Sequence, residues 1–223
     1  VKGAQAMLDK GRTLAADMLE ADAGDIEYAD GRFRIAGTDR SAGLAEVAAF
    51  AATRDERLSA EADFLTEAEA HTNGAHVCEV SIDPADGTVR LENHVIVADV
   101  GRAINPLIVH GQMHGGAAQG IGQALLEQVV YDADSGQTLS GSFMDYTLPR
   151  ADDLPLLTVD LNEVPEADNP LGVKGAGENA TSGAPAALMN AVRAALATAG
   201  VQHFDMPATP ERVWQALRAA RDA

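Results

Sequence analysis

Residues 172–185 read GVKGAGENATSGAP, in which Gly172, Gly175 and Gly177 flank one lysine, Lys174, and one carboxylate, Glu178, ahead of a helical run. A carboxylate set among backbone without side chains suits two tasks. It can serve as a general base held close to a bulky ligand, or as a capping group at a helix start. Free N–H groups and the dipole at a helix start favour an anion, and glycines let a ligand approach the chain. The loop is neither the GxxxxGK[ST] phosphate loop nor the GxGxxG dinucleotide fingerprint. The plain alternative is a tight loop whose glycines adopt positive φ.

Three other groups of residues invite chemistry. His110 and His114 are four apart, like the outer positions of HExxH, but position 111 is Gly and no third ligand is evident, so the pair does not specify a metal. Gln112 and Gln119 are seven apart and share a helical face with Gly115, Gly116 and Gly122. Two amides beside bare backbone suit a flat ligand rich in donors and acceptors; close helix packing is the alternative. The remaining histidines are scattered, Glu127 and Glu163 read as surface residues without partners, and Asp145 and Tyr146 read as strand residues. Cys78 is the only cysteine. It excludes an internal disulfide and any thiolate zinc or iron–sulfur site, and it reads as a small buried hydrophobe. A reducing, cytoplasmic compartment is the default expectation.

These residues must be positioned by a chain of 223 residues with 46% apolar and 4% aromatic content, so the core has to rest on Ala, Val, Leu and Ile. No run approaches the roughly 18 apolar residues of a membrane span. The formal net charge of −18 argues against nucleic acid, which requires clustered Lys and Arg. Periodicity predicts a helix over 2–20, a hairpin turning at Asp30-Gly31, a helix over 44–52 and a polar connection over 53–74. A long hairpin follows, turning at Pro84–Gly87. The run 107–131 reads as helical despite five glycines between 111 and 122, each costing about 1 kcal/mol against Ala. SFMDYTLP and LLTVDLNEV read as strands. A helix with Pro185 near its first turn and a last helix with Thr209 as N-cap and Pro210 at N1 close the chain. Hairpins alternating with helices predict an α+β fold, mainly antiparallel strands packed with helices, divided at 1–74 and 75–223.

Taken together, DVGRAINPLIVHGQMHGGAAQGIGQALLEQVVYD, SGSFMDYTLPRADDLP and NPLGVKGAGENATSGAPAALMNAV, in that order, resemble the C-terminal part of the molybdenum-cofactor subunit of the xanthine oxidase family. That family includes aldehyde oxidoreductases, xanthine dehydrogenases and aerobic carbon monoxide dehydrogenases. The resemblance runs from about Val77 to Leu217 and more loosely back to Val1. It implies that Glu178 is the active-site carboxylate beside molybdenum and that Gln112 hydrogen-bonds the pterin. It also implies that Gly175, Ala176 and Gly177 form the loop close to the metal centre, that Lys174 is a cofactor-side lysine of that loop whose role stays open, and that Gly115 and Gly116 lie on the cofactor side. The resemblance implies as well that no protein side chain ligates the metal. The implied reaction hydroxylates a carbon with oxygen derived from water, one carboxylate serving as general base.

The family commonly continues the glutamate with Ala or Pro and then Gly-Thr; here Asn179-Ala180-Thr181 follow, which leaves the substrate class open among aldehydes, N-heterocycles and carbon monoxide. The family's molybdenum subunit is several times longer, and Val1 opens inside an amphipathic helix. The chain is therefore expected to be a C-terminal fragment, inactive alone. A natural short subunit and a non-catalytic assembly domain are the alternatives. Implied partners are the upstream remainder of the molybdenum subunit, subunits carrying [2Fe–2S] clusters and FAD, and a small-molecule substrate.

Overall fold

A computed structural model describes residues 1–65 and 69–222. The chain divides into two compact units, Val1–Glu67 and Ala68–Ala223. The division lies ahead of the expected boundary at 74/75, because the strand that begins the second unit already includes Asn73 and Gly74. The predicted connection over 53–74 falls partly outside the described residues.

In the first unit, helices α1 (Lys2–Leu19) and α2 (Leu44–Thr53) cover an antiparallel sheet of β1 (Ile26–Ala29), β2 (Arg32–Ile35) and β3 (Ser41–Gly43). The β1–β2 turn is the expected Asp30-Gly31 pair, both at positive φ, the geometry that matches the twist of a two-residue hairpin. Leu14, Ala15, Ile26, Phe33, Val47 and Ala51 form its buried centre.

The second unit holds the candidate site. Its sheet runs β4 (Asn73–Ile82), β5 (Val89–Asp99), β6 (Thr158–Leu161), with β4 antiparallel and β6 parallel to β5. Helix α3 (Pro106–Leu125) begins at Asn105, whose side chain accepts from Ile108 N–H, and Pro106 takes the first turn. That placement uses proline where its missing N–H costs nothing. Helix α4 (Asn179–Ala197) packs on α3 and β4, and α5 (Pro210–Asp222) closes the unit. The core is a stripe from each element: Met113, Ala117, Ile121 and Ala124 of α3; Ala180, Ala184, Leu188, Val192 and Leu196 of α4; Ile96 and Ala98 of β5; Val213 and Leu217 of α5. The helical stripes recur at three- and four-residue spacing, as one buried helix face requires.

The glycines of α3 divide by direction. A Cβ at Gly120 would lie 2.8 Å from Pro185 Cδ, 3.0 Å from Ala184 Cβ and 3.1 Å from Thr181 O. Bare backbone there lets α3 and α4 approach closely, which offsets the propensity cost. Gly111 and Gly115 face open space.

Three local expectations are corrected. Helix α3 ends at Leu125, not at Tyr131: Leu126 and Glu127 N–H both close on Gly122 O, and Val130–Tyr131 turn into a short pairing with Thr138–Leu139. Helix α4 starts at Asn179, so Pro185 is internal, tolerated beside the bare Gly120 backbone. Asp145 and Tyr146 lie in a turn, both N–H groups bonding to Ser142 O, and Tyr146 Oη donates to Glu127, which is therefore not partnerless. Overpacking a tight helix contact costs about 1–3 kcal/mol, so Gly120→Val should lower the unfolding free energy by about 2 kcal/mol in urea titration. Gly111→Ala, facing open space, should stabilise the chain by up to about 1 kcal/mol.

Candidate functional site

The loop 172–177 is held by the end of β5. Gly101 and Val173 form an isolated antiparallel bridge, Arg102 N–H donates to Gly172 O at 2.8 Å, and Lys174 N–H donates to Val100 O at 2.8 Å. Asn169 closes the other side: its Nδ2 donates to Val173 O at 2.7 Å and its Oδ1 accepts from Leu171 and Val173 N–H. Beneath this lies an ion pair, Lys174 Nζ to Asp99 Oδ2 at 2.6 Å, with side chains 8% and 11% exposed. Asp99 Oδ1 also accepts from Gly101 N–H at 2.9 Å and Val164 N–H at 3.1 Å. Burial alone would raise the Asp99 pKa; the Lys174 hydrogen bond, the two backbone N–H groups and the Lys174 charge outweigh it and hold the carboxyl below its usual range. Lys174, whose role the resemblance leaves open, is thus paired inside the protein with Asp99.

Glu178 sits at the junction of this loop with α4, in the N-cap position, yet its side chain makes no capping hydrogen bond. The capping role is not realised. The residue is exposed and lines a cavity of about 640 Å³ together with Gly175, Ala176, Gly177, Asn73, Gly74 and His76. Asn179, next in the chain, acts as a clamp. Its Nδ2 donates to Thr72 Oγ1 at 2.6 Å and Asn73 O at 3.1 Å, and Thr72 Oγ1 donates to Asp99 O at 2.9 Å. The start of α4 is thereby tied to the start of β4. Asn179 Oδ1 is buried without a partner among the described residues.

Gln112 approaches the loop from α3: its Oε1 lies 3.8 Å from where a Gly177 Cβ would stand. Gly175 has nothing within 4 Å of such a position. Gln112, Gly175 and Gly177 are all exposed, and Gly115 also opens onto free space. Gly116 does not. A Cβ there would meet Thr181 Oγ1 at 2.9 Å, Thr181 N at 3.1 Å and Ala180 Cβ at 3.3 Å, so its small size serves the α3–α4 contact. Gln119 also turns to α4, accepting from Thr181 Oγ1 at 3.4 Å. His110 and His114 build no site: His114 Nδ1 donates to His110 O at 2.8 Å within the helix.

A second group of side chains, missed in the sequence, adjoins the cavity. His76 Nδ1 lies 3.0 Å from His94 Nε2, and Cys78 Sγ lies 3.1 Å from His94 Nδ1. His76 and Cys78 alternate on β4, and His94 on β5 stands directly opposite Cys78. His94 is fully buried; burial, then the nearby His76, lower its pKa to about 4. Burial likewise lowers His76 and raises the Cys78 thiol to about 11.

The Asp99 pair yields a prediction. The folded-state pKa of Asp99 lies below its unfolded value, so its stabilisation is present above the unfolded pKa of about 3.9 and is lost as pH falls through the folded value. Protection of loop 172–177 amides in hydrogen exchange should fall on acidification in the wild type. Lys174→Met strands a buried carboxylate and should cost about 3–5 kcal/mol, with the loop losing protection at neutral pH.

With this geometry in place, likeness to known proteins becomes informative. Residues 1–155 match the family described as the molybdopterin cofactor-binding domain. The gamma subunit of the 6-hydroxypseudooxynicotine dehydrogenase complex of Paenarthrobacter nicotinovorans is 38% identical over 100% of this chain and 29% of its own length. The carbon monoxide dehydrogenase large chain of Hydrogenophaga pseudoflava is 34% identical over 94% of this chain and 27% of its own. Among solved structures, quinoline 2-oxidoreductase from Pseudomonas putida 86 superposes with a TM-score of 0.85 at 37% identity, covering 96% of this chain and 28% of that one. The chain thus spans less than a third of the length of the relatives it matches. On the match to the cofactor-binding domain and on these relatives, the chain belongs to the xanthine oxidase family of molybdenum hydroxylases.

Proposed function

We propose that this chain supplies one wall of the molybdenum–pterin site of a molybdenum hydroxylase and that Glu178 is its general base. One observation carries the reading. The Glu178 carboxylate, free of any capping bond, lines the cavity beside the side-chain-free backbone of Gly175 and Gly177, with the Gln112 amide approaching Gly177.

The residues suit the group. A pterin is flat and carries donors and acceptors along its edge. A primary amide that both donates and accepts, next to open backbone N–H groups, can match that edge; side chains at 175 and 177 would fill the space the ligand needs. Gln112, Gly175, Ala176, Gly177 and Gly115 are the residues proposed to hold it. When bound, the group supplies the two-electron redox chemistry by which oxygen derived from water enters the substrate. Glu178 takes up the proton that this oxygen loses as it attacks carbon, a task worth about 10²–10⁴ in rate. The anchored loop keeps the carboxylate within reach, and positioning of this kind lowers the entropic part of a barrier.

The substrate is proposed to be a small molecule of the N-heterocycle class. Among solved structures that superpose with the same TM-score of 0.85, the quinoline oxidoreductase is 37% identical and the Cu,Mo-CO dehydrogenase 30%, which supports that choice over carbon monoxide. The remaining walls are proposed to come from further chain of the same molybdenum subunit, working with iron–sulfur and FAD subunits in the cytoplasm. Exposed apolar residues support a covered face: Met144 is 92% and Leu156 is 97% exposed, and Leu107, Ile108 and Phe143 are exposed as well. Such a surface is costly to leave in water.

The test is Glu178→Gln in the full-length enzyme. The expected result is a fall in kcat of about 10²-fold or more with molybdenum content unchanged. A kcat within about tenfold of wild type overturns the base assignment.

A further inference from the structure

The His76–His94–Cys78 array calls for an explanation that the hydroxylase reading does not supply. Three polar side chains occupy the core side of the β4–β5 hairpin, where neighbouring positions hold Val80, Ile96 and Ala98. Buried polar groups are tolerated there only when they bond to one another. They do, end to end: Sγ to Nδ1 of His94 at 3.1 Å, and Nε2 of His94 to Nδ1 of His76 at 3.0 Å. The two ring nitrogens of His94 face opposite ways, so the array is a chain of hydrogen bonds and not a convergent ligand set. Its inner end closes on the thiol. Its outer end is His76, half-buried, whose Nε2 has no protein partner among the described residues and which lines the same cavity as Glu178.

The fold makes room for that outer end. A Cβ at position 183 would lie 2.5 Å from His76 Cδ2 and 2.6 Å from Nε2. Helix α4 therefore passes the ring at a point without a side chain. An interior helical glycine costs about 1 kcal/mol against Ala, and the three atoms nearest a Cβ at Gly183 all belong to this ring.

Burial favours the neutral form of all three groups. A neutral chain has two polarities. In one, the thiol donates to His94 Nδ1, His94 Nε2–H donates to His76 Nδ1, and His76 presents Nε2–H. In the other, His94 Nδ1–H donates to sulfur. Sulfur is weak as a donor and as an acceptor alike, so the thiol can complete either polarity; the Glu178 carboxylate on the same cavity favours the first, which turns an N–H toward it. We infer that His76 is a binding residue of the Glu178 cavity: held in a single tautomer by His94 and Cys78, its imidazole donates an Nε2–H hydrogen bond to an oxygen or nitrogen acceptor of the molecule bound there. His94 and Cys78 are positioning residues, acting only through His76. The inference rests on the proposal that the cavity belongs to the molybdenum–pterin site, and it adds a donor on the β4 side of that cavity.

The test uses the full-length protein, with isotopically labelled histidine nitrogens read by NMR, and the variants His76→Phe, Cys78→Val and Cys78→Ser. His76 should carry its proton on Nε2 in the wild type and in Cys78→Ser, whose hydroxyl still donates; Cys78→Val should populate both tautomers. Loss of one hydrogen bond is worth about three- to tenfold in affinity. His76→Phe should therefore raise KM or lower molybdenum content by that factor with kcat per bound molybdenum within about twofold, and Cys78→Ser should stay near wild type. An Nδ1–H tautomer of His76 in the wild type overturns the inference. So does a His76→Phe enzyme with KM and molybdenum content both unchanged. The tautomer does not depend on the role of Glu178: a Glu178→Gln enzyme of normal kcat with the His76 results as expected removes the base assignment alone.

Discussion

The buried pair between Lys174 and Asp99 is the constraint on which the candidate site depends. Two ions taken out of water are costly unless each is fully partnered, and here the carboxylate meets that condition with an ammonium on one oxygen and two backbone N–H groups on the other. One side chain thereby fastens three stretches: the end of β5, the segment at Val164 and the glycine loop. The glycine loop cannot hold itself. Bare backbone has maximal freedom when unfolded, so the features that let a ligand come close also demand an external anchor. The anchor lies on the protein side of the loop, and the open side stays free.

The same division of labour runs through the two helices. Small residues serve two opposite ends, depending on where they point. Gly116 and Gly120 bring α3 onto α4, whereas Gly111 and Gly115 leave the far face of α3 bare. Helix α4 in turn carries Glu178 at its start and Gly183 over His76. Asn179 locks that helix start to β4 through Thr72. The asparagine at 179 therefore has a structural account: its amide ties the start of α4, next to Glu178, to the start of β4.

The helices and hairpins were legible because their signals are local: four-residue apolar spacing in α4 and α5, Asp30-Gly31 at a turn, Pro106 and Pro210 at helix starts. Glu178 and its loop were legible from the run of glycines around one carboxylate. The role of Lys174 was not, since its partner is 75 residues away and nothing in the loop names it. Gly116 and Gly115 are neighbours in sequence, and only the direction of α4 separates their tasks. The imidazole–thiol chain was hidden by a bulge. The pairing of Ile82 with Val89, continued without irregularity, sets Cys78 opposite Asn93; the shift between Glu79 and Val80 brings His94 there instead. Tyr146 and Glu127 meet across a turn that strand-like alternation disguised.

The strand order β4-β5-β6 leaves both flanks of the second unit's sheet without a hydrogen-bonded neighbour among the described strands. Flanks of this kind are templates for adding another strand, whether from the same polypeptide or from a foreign one. Val77, 67% exposed on β4, makes that border sticky as well as unsatisfied. An added strand there would satisfy the open backbone and at the same time block pairing between copies of the chain, so one ribbon of backbone bears on both solubility and assembly.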